Sequence, residues 1–235
     1  MLHRTIVMPA GRHTASLIFL HGSGDTGVGI QSWIADCFDG TGDKQGFNFN
    51  HIKVIYPTAP PQPYTPMNGR ISNVWYDRHK ISYDTPEIAK SVDEMSDKLT
   101  ELIQAEVNAG IPPSRILVGG FSMGGSMALH LGFRNHLDLG GVFALSSFLS
   151  AESTVYDSIL EHQKTENSMP ELFMAHGNKD PLVLFEWGKK TFQKLTSLGV
   201  KGQFHKFKYF HEIGFKELLM LRNWIVERIP DDTNS

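Results

Sequence analysis

The stretch RILVGGFSMGGSMALHLG, residues 115–132, joins an apolar run to an amphipathic one through a serine set among glycines. Ile116, Leu117 and Val118 suit a strand buried on both faces, and a helical pattern follows at once. A strand that turns straight into a helix makes a tight corner. Gly120 and Gly124 carry no Cβ, so the two elements can close around Ser122, which is left in a strained conformation with its hydroxyl exposed. This is the nucleophile elbow, G-x-S-x-G. The helix that begins here offers free N–H groups and the positive end of its dipole to negative charge forming beside the serine. A phosphate loop is excluded, because GGFSMGGS lacks a Gly-Lys-Ser/Thr ending.

Outward from this corner the chain alternates strands and helices. SLIFLHG (16–22), KVIYP (53–57), GVFALS (141–146) and LFMAHG (172–177) read as further buried strands. KGQFHKFKY (201–209) and HRTIVMP (3–9) read as edge strands. The clearest helix is 86–109, with Thr85 as cap, Pro86 in the first turn, apolar residues at helical spacing from Ile88 to Val107, and Gly110 and Pro112 as the stop. Other helices are expected near 123–136, 183–198 and 214–228, with PTAPPQPYTPMNG (57–69) as a long irregular loop. The alternation implies an α/β fold with a mostly parallel central sheet and helices on both faces.

At 235 residues, with 40% hydrophobic and 20% charged residues, the chain reads as one soluble domain, 1–235. A formal net charge of −3 with no basic face argues against a nucleic-acid binder. The one cysteine, Cys37, precludes an internal disulfide and fits a reducing compartment. The amino-terminal stretch lacks the apolar core of a signal peptide, and runs such as SLIFL and LLML are too short to cross a bilayer. The expectation is a cytoplasmic protein with at most transient membrane contact.

A nucleophilic serine needs a base to take its proton and an acid to orient that base, and on such a sheet they follow in the order Ser, acid, His. After Ser122, the strand ending at His176-Gly177 delivers Asp180 into a loop stiffened by Pro181. Asp157, Glu161 and Glu166 fall in or beside a surface helix and are set aside. His211 lies between the last strand and the last helix, where a loop can reach Ser122. His130, His136 and His162 belong to helices, His205 sits mid-strand, and His176 shapes the turn before the acid. The segment GSGDTG (22–27) matches a dinucleotide fingerprint, but the second strand ends in IYPTAP with no acid, and Asp43 precedes that strand. The same segment better supplies an oxyanion hole, with the backbone N–H of Ser23 and of Met123 as donors and His21 packed beneath the turn.

LIFLHGSGDTG, IYPTAPP, VWYD, RILVGGFSMGGSMAL, GVFALSSFL, HGNKDPLV and His211-Glu212 together resemble the acyl-protein thioesterase/lysophospholipase family of carboxylesterases over nearly the whole chain. TAPPQPYTPMNG and ISNVWYDR point to its lysophospholipase-like branch. The resemblance implies an α/β-hydrolase without a large lid domain. It implies a Ser122–Asp180–His211 triad, and thioester or oxygen-ester substrates such as S-acylated proteins and lysophospholipids. No metal or cofactor is required. Where the family often has Gln after the nucleophile, this chain has Met123, which keeps the N–H. Trp75 and the loop around Tyr64 and Met67 are candidates to touch an acyl chain, whereas residues 148–170, rich in Ser and Glu, do not read as a strongly apolar channel. The rival from another class is a hydrolase-fold binding protein for apolar or acylated ligands with little turnover.

Overall fold

Residues 2–163 and 169–231 are described by a computed structural model. Among the described residues nine strands form in chain order: β1 (Arg4–Val7), β2 (Ala15–Leu20), β3 (Ile52–Pro57), β4 (Pro61–Tyr64), β5 (Arg70–Asn73), β6 (Ile116–Phe121), β7 (Gly141–Leu145), β8 (Leu172–Gly177) and β9 (Gly202–Phe207). Seven of them make one sheet in the order β1-β3-β2-β6-β7-β8-β9, and β4 and β5 pair as a separate hairpin. Only β1, at the edge, runs antiparallel to its neighbour. β2 is flanked by β3 on one side and β6 on the other, so the winding reverses there. The carboxyl ends of β2 and β6 therefore border the crevice where sheets of this kind build their sites.

Among the described residues six α-helices cover the sheet: α1 (Gly27–Asp36), α2 (Ala89–Asn108), α3 (Met123–His130), α4 (Thr154–His162), α5 (Phe185–Ser197) and α6 (Phe215–Arg228). Strand alternation divides the core between them. Ile18 and Leu20 point to one face and pack with Val92, Met95 and Leu99 of α2, Met127 of α3, Val155 of α4 and Leu195 of α5. Leu17 and Phe19 point to the other and pack with Ile30 and Ile34 of α1 and Leu218, Leu221 and Trp224 of α6. Burying each such side chain stabilises the fold by about 1.5–3 kcal/mol.

Two expectations change and one helix is added. The helix expected from Pro86 starts at Ala89, with no side-chain cap from Thr85. The preceding residues are held elsewhere: Glu87 bridges Arg78 through the backbone, and its carboxylate binds His130 and Thr154. Much of the expected irregular loop 57–69 is ordered as β4 and a 3-10 turn (Thr65–Met67) ahead of β5. Asn68 and Gly69, at φ 54° and 76°, make the reversal into β5. Helix α1 was not anticipated, because Gly27 and Gly29 in its first turn weaken the helical pattern. It is stabilised instead by Thr26, whose side chain accepts the Gly29 N–H.

Candidate active site

Ser122 stands between β6 and α3 at φ 56° and ψ −121°, a region that costs a non-glycine residue about 1–3 kcal/mol. Its surroundings hold it there. Its N–H donates to Leu145 O at 2.8 Å, and its carbonyl accepts from the Ser126 N–H at 3.1 Å and the Ser147 hydroxyl at 2.8 Å. A Cβ on Gly120 would overlap Leu20 O, and one on Gly124 would overlap both Leu20 O and His21 O. The two glycines thus let α3 lie flush against the end of β2. Ser147 escaped the sequence reading; its only signal is the serine pair directly after β7.

Asp180 follows β8 with its side chain fully buried, and His211 lies between β9 and α6. Asp180 Oδ1 accepts the N–H groups of Leu182 and Val183, both at 2.9 Å, a local turn that fixes the carboxylate. Its Oδ2 accepts the His211 Nδ1–H at 2.7 Å, and the far ring nitrogen, Nε2, accepts the Ser122 hydroxyl at 3.0 Å. The His211 ring also rests against Phe121, with centroids 4.7 Å apart. His176 supports this loop from beneath. Its Nε2–H donates to Val183 O at 2.9 Å and lies 3.5 Å from Asp180 Oδ2. Burial opposes ionisation of Asp180. The nearby His176 N–H and the hydrogen bonds from His211 and the Val183 amide outweigh it and hold the carboxyl well below the usual range.

The 22–24 turn lies against the serine: a Cβ built on Gly22 would sit 3.6 Å from the Ser122 Cβ. Ser23 is part of that turn, and Met123 provides the first N–H of α3, a position with no acceptor inside the helix. His21 is fully buried under the turn, bonded through Nδ1 to Gly22 O at 2.6 Å and through Nε2 to the Ala59 N–H at 3.0 Å. Burial pushes its titration below the usual histidine range, so it acts as a neutral bracket.

Trp75 differs from expectation. It is fully buried and its indole N–H donates to His21 O at 2.8 Å, so it props the turn from below and has no free surface for an acyl chain. Tyr64 is buried too, whereas Met67 is exposed at the hairpin tip. His130, His136 and His205 are bonded to Glu87, Thr100 and Gln203 respectively. Asp157 and Glu161 lie on α4, and Glu166 lies outside the described residues. Asp43 is gripped by Arg222 at 2.8 Å.

The doubly wound sheet, the elbow and the hydrogen-bonded serine, histidine and aspartate define a serine hydrolase of the α/β-hydrolase fold. The chain belongs to the phospholipase/carboxylesterase family, whose model matches residues 1–229. It is 51% identical to lysophospholipase-like protein 1 of Mus musculus over 99% of this chain and 95% of that one. It is 33% identical to acyl-protein thioesterase 1 of Yarrowia lipolytica, covering 93% and 94% of the two chains. Among solved structures, acyl-protein thioesterase 2 of Zea mays superposes with a TM-score of 0.80 at 26% identity, covering 97% of this chain and all of that one.

Proposed function

We propose that the protein cleaves thioesters or oxygen esters of acyl groups by two-step transfer through Ser122. The observation that carries this is the unbroken path from the Ser122 hydroxyl through His211 to the buried Asp180, at 3.0 and 2.7 Å. His211 takes the serine proton as Oγ attacks the acyl carbonyl, and Asp180 stabilises the imidazolium that forms. The N–H groups of Ser23 and Met123 receive the oxyanion, each worth roughly 3–4 kcal/mol in the transition state. The imidazolium then protonates the leaving thiolate or alkoxide. In the second step His211 activates water, which releases the acid and restores the serine.

The names of the relatives support S-acylated proteins, lysophospholipids and small acyl esters as the substrate classes. Among the described residues no helix is long and apolar enough to cross a membrane. Work in the cytoplasm, with transient membrane contact to reach acylated proteins, is part of the proposal and agrees with the free thiol of Cys37. The chain is taken to act as one domain, since every group of the site hangs from one sheet.

A fluorophosphonate should label Ser122 covalently, and Ser122→Ala should lose on the order of 10⁴-fold or more in turnover of a p-nitrophenyl ester. A protein that binds acyl ligands without reacting with the probe would be the binding protein considered from sequence. Wild-type rates in Ser122→Ala would refute the mechanism.

A further inference from the structure

A second recess opens at the same rim. The stretch Tyr76–Glu87 supplies one wall and Phe148–Ser150 the other, around a volume of about 20 Å³, so that only the tip of a ligand, one oxygen of a carboxylate, can seat in it. Both walls continue segments that hold the hydrolytic groups. Trp75, just before Tyr76, props the 22–24 turn. Ser147, just before Phe148, bonds to Ser122 O, and Ser126, one helical turn past the nucleophile, donates to Phe148 O at 2.8 Å.

The side chains in this recess are unspent. Arg78 is only 8% exposed; its Nε–H donates to the Tyr64 hydroxyl at 2.8 Å and its guanidinium lies over the Tyr64 ring. Among the described residues its two terminal nitrogens have no hydrogen-bond partner and no carboxylate within 4 Å. Thr85, also 8% exposed, has a buried hydroxyl with no partner. The carboxylate that shares the recess, Glu87, is already taken: Oε1 by His130 at 3.2 Å, and Oε2 by the N–H and hydroxyl of Thr154 at 3.2 and 3.3 Å. The Arg78 guanidinium thus presents free N–H donors at the mouth of the recess without a paired carboxylate, and donors in this arrangement fit a carboxylate oxygen.

We propose that this recess is a subsite for a carboxylate at the far end of the substrate's acyl group, received by Arg78 and the Thr85 hydroxyl. The inference rests on the hydrolase reading above. The acyl part, rather than the leaving group, is the one that fits. A leaving group carried by a protein must stay outside the rim, whereas the acyl group is held on Ser122 and can lie in a fold of the body close by. Asp84 and Glu152 stand exposed on the neighbouring groove, which shares Thr85 and Pro86 with the recess. Their repulsion weakens the hold on any anion in the recess, so an occupant needs the high effective concentration that a covalent tether through the acyl group on Ser122 supplies. A phosphate, with a third oxygen to satisfy, fits the space less well.

The test compares pairs of thioesters from succinyl to suberoyl, each ending in a carboxylate or in the neutral amide of the same length. At the length that spans from Ser122 to Arg78, the wild-type kcat/KM should favour the carboxylate on the order of 10- to 100-fold. In Arg78→Met that ratio should fall to about one. In Thr85→Val, a near-isosteric change, it should drop several-fold. Because the ratio is taken within one enzyme preparation, partial misfolding of a variant does not alter it. A wild-type ratio near one at every length would show that the recess holds only water. A preference that survives Arg78→Met would assign it to another group. Hydrolysis of the amide-ended partners, together with fluorophosphonate labelling, keeps the hydrolase reading standing in either case. Failure to hydrolyse any member, together with no labelling of Ser122 by the fluorophosphonate, would overturn both.

Discussion

Two buried carboxylates sit at the entrances to the two elements that follow the last strands of the sheet, and they behave oppositely. Asp180, after β8, accepts two backbone N–H groups and the His211 ring, and is held ionised below the usual carboxyl range. Glu217, in the first turn of α6, is 1% exposed and neither of its oxygens has a hydrogen-bond partner. Burial pushes its pKa from 4.5 up to about 8; the Gly214 N–H, nearby but outside hydrogen-bond geometry, offsets part of this and Glu212 adds to it. Depth in the protein is similar. The difference lies in donors aimed at the charge: three hydrogen bonds hold the acid of the proposed triad, whereas the other has none and stays neutral at pH 7.

The same substitution, carboxylate to amide, should therefore have opposite consequences at the two places. Asp180→Asn keeps the shape but removes the charge that orients His211 and stabilises its protonated form. Turnover should fall by about 10⁴-fold with little change in KM, read from ester hydrolysis normalised to fluorophosphonate-labelled enzyme. Activity within ten-fold of wild type would remove Asp180 from the mechanism.

Glu217→Gln should leave turnover in place and alter stability instead. Between about pH 4.5, where the unfolded chain releases this proton, and about pH 8, where the folded chain does, the native state holds the extra proton. Stability therefore falls as pH rises through that window, by on the order of a few kcal/mol in all. Urea unfolding at a series of pH values should show this slope in the wild type and a flatter one in Glu217→Gln. Any constant cost of burying the amide shifts the whole curve but not its slope. Asp180 acts in the other sense, adding stability that is present above the ordinary aspartate range and lost on acidification below it. Equal slopes for the wild type and Glu217→Gln would mean that Glu217 is ionised in the folded protein.

The two carboxylates also mark how far the sequence could be read. Asp180 was legible because its neighbours announce it: a buried strand, His176-Gly177, then Pro181. Ser122 and His211 were legible for the same reason, each falling in a loop at the carboxyl end of a strand. Glu217 gave no such signal, since in KELLMLRNW it reads as an exposed helical glutamate. Its burial depends on how α6 lies on the sheet beside α1, a helix whose own first turn is obscured by glycines. Trp75 was misjudged because an aromatic near a loop reads alike as ligand contact or as prop. Arg78 and Glu87 could not be placed from their neighbours, because the recess between them forms only when residues 76–87 fold back over 148–154.

Removing one donor at a time isolates what each contributes to Asp180. His176 is the mildest case, because it touches no reacting atom and reaches Asp180 only at 3.5 Å while its hydrogen bond goes to Val183 O at 2.9 Å. It is packed in place: a Cβ on Gly188 of α5 would overlap its ring. In His176→Phe the ring volume remains, but Val183 O loses its donor and the carboxylate loses a neighbouring N–H. If donors, and not depth, keep Asp180 ionised and aimed, kcat should fall about ten-fold, in line with the loss of the buried hydrogen bond that fixes the Asp180 loop and of an N–H beside the charge. KM should stay near its wild-type value, because the acyl group does not meet this residue. His176→Gln, which can still donate, should recover part of the loss. A fall in thermal stability with kcat unchanged would make His176 a packing residue only, and Asp180 would then owe its charge to His211 and the two backbone amides alone.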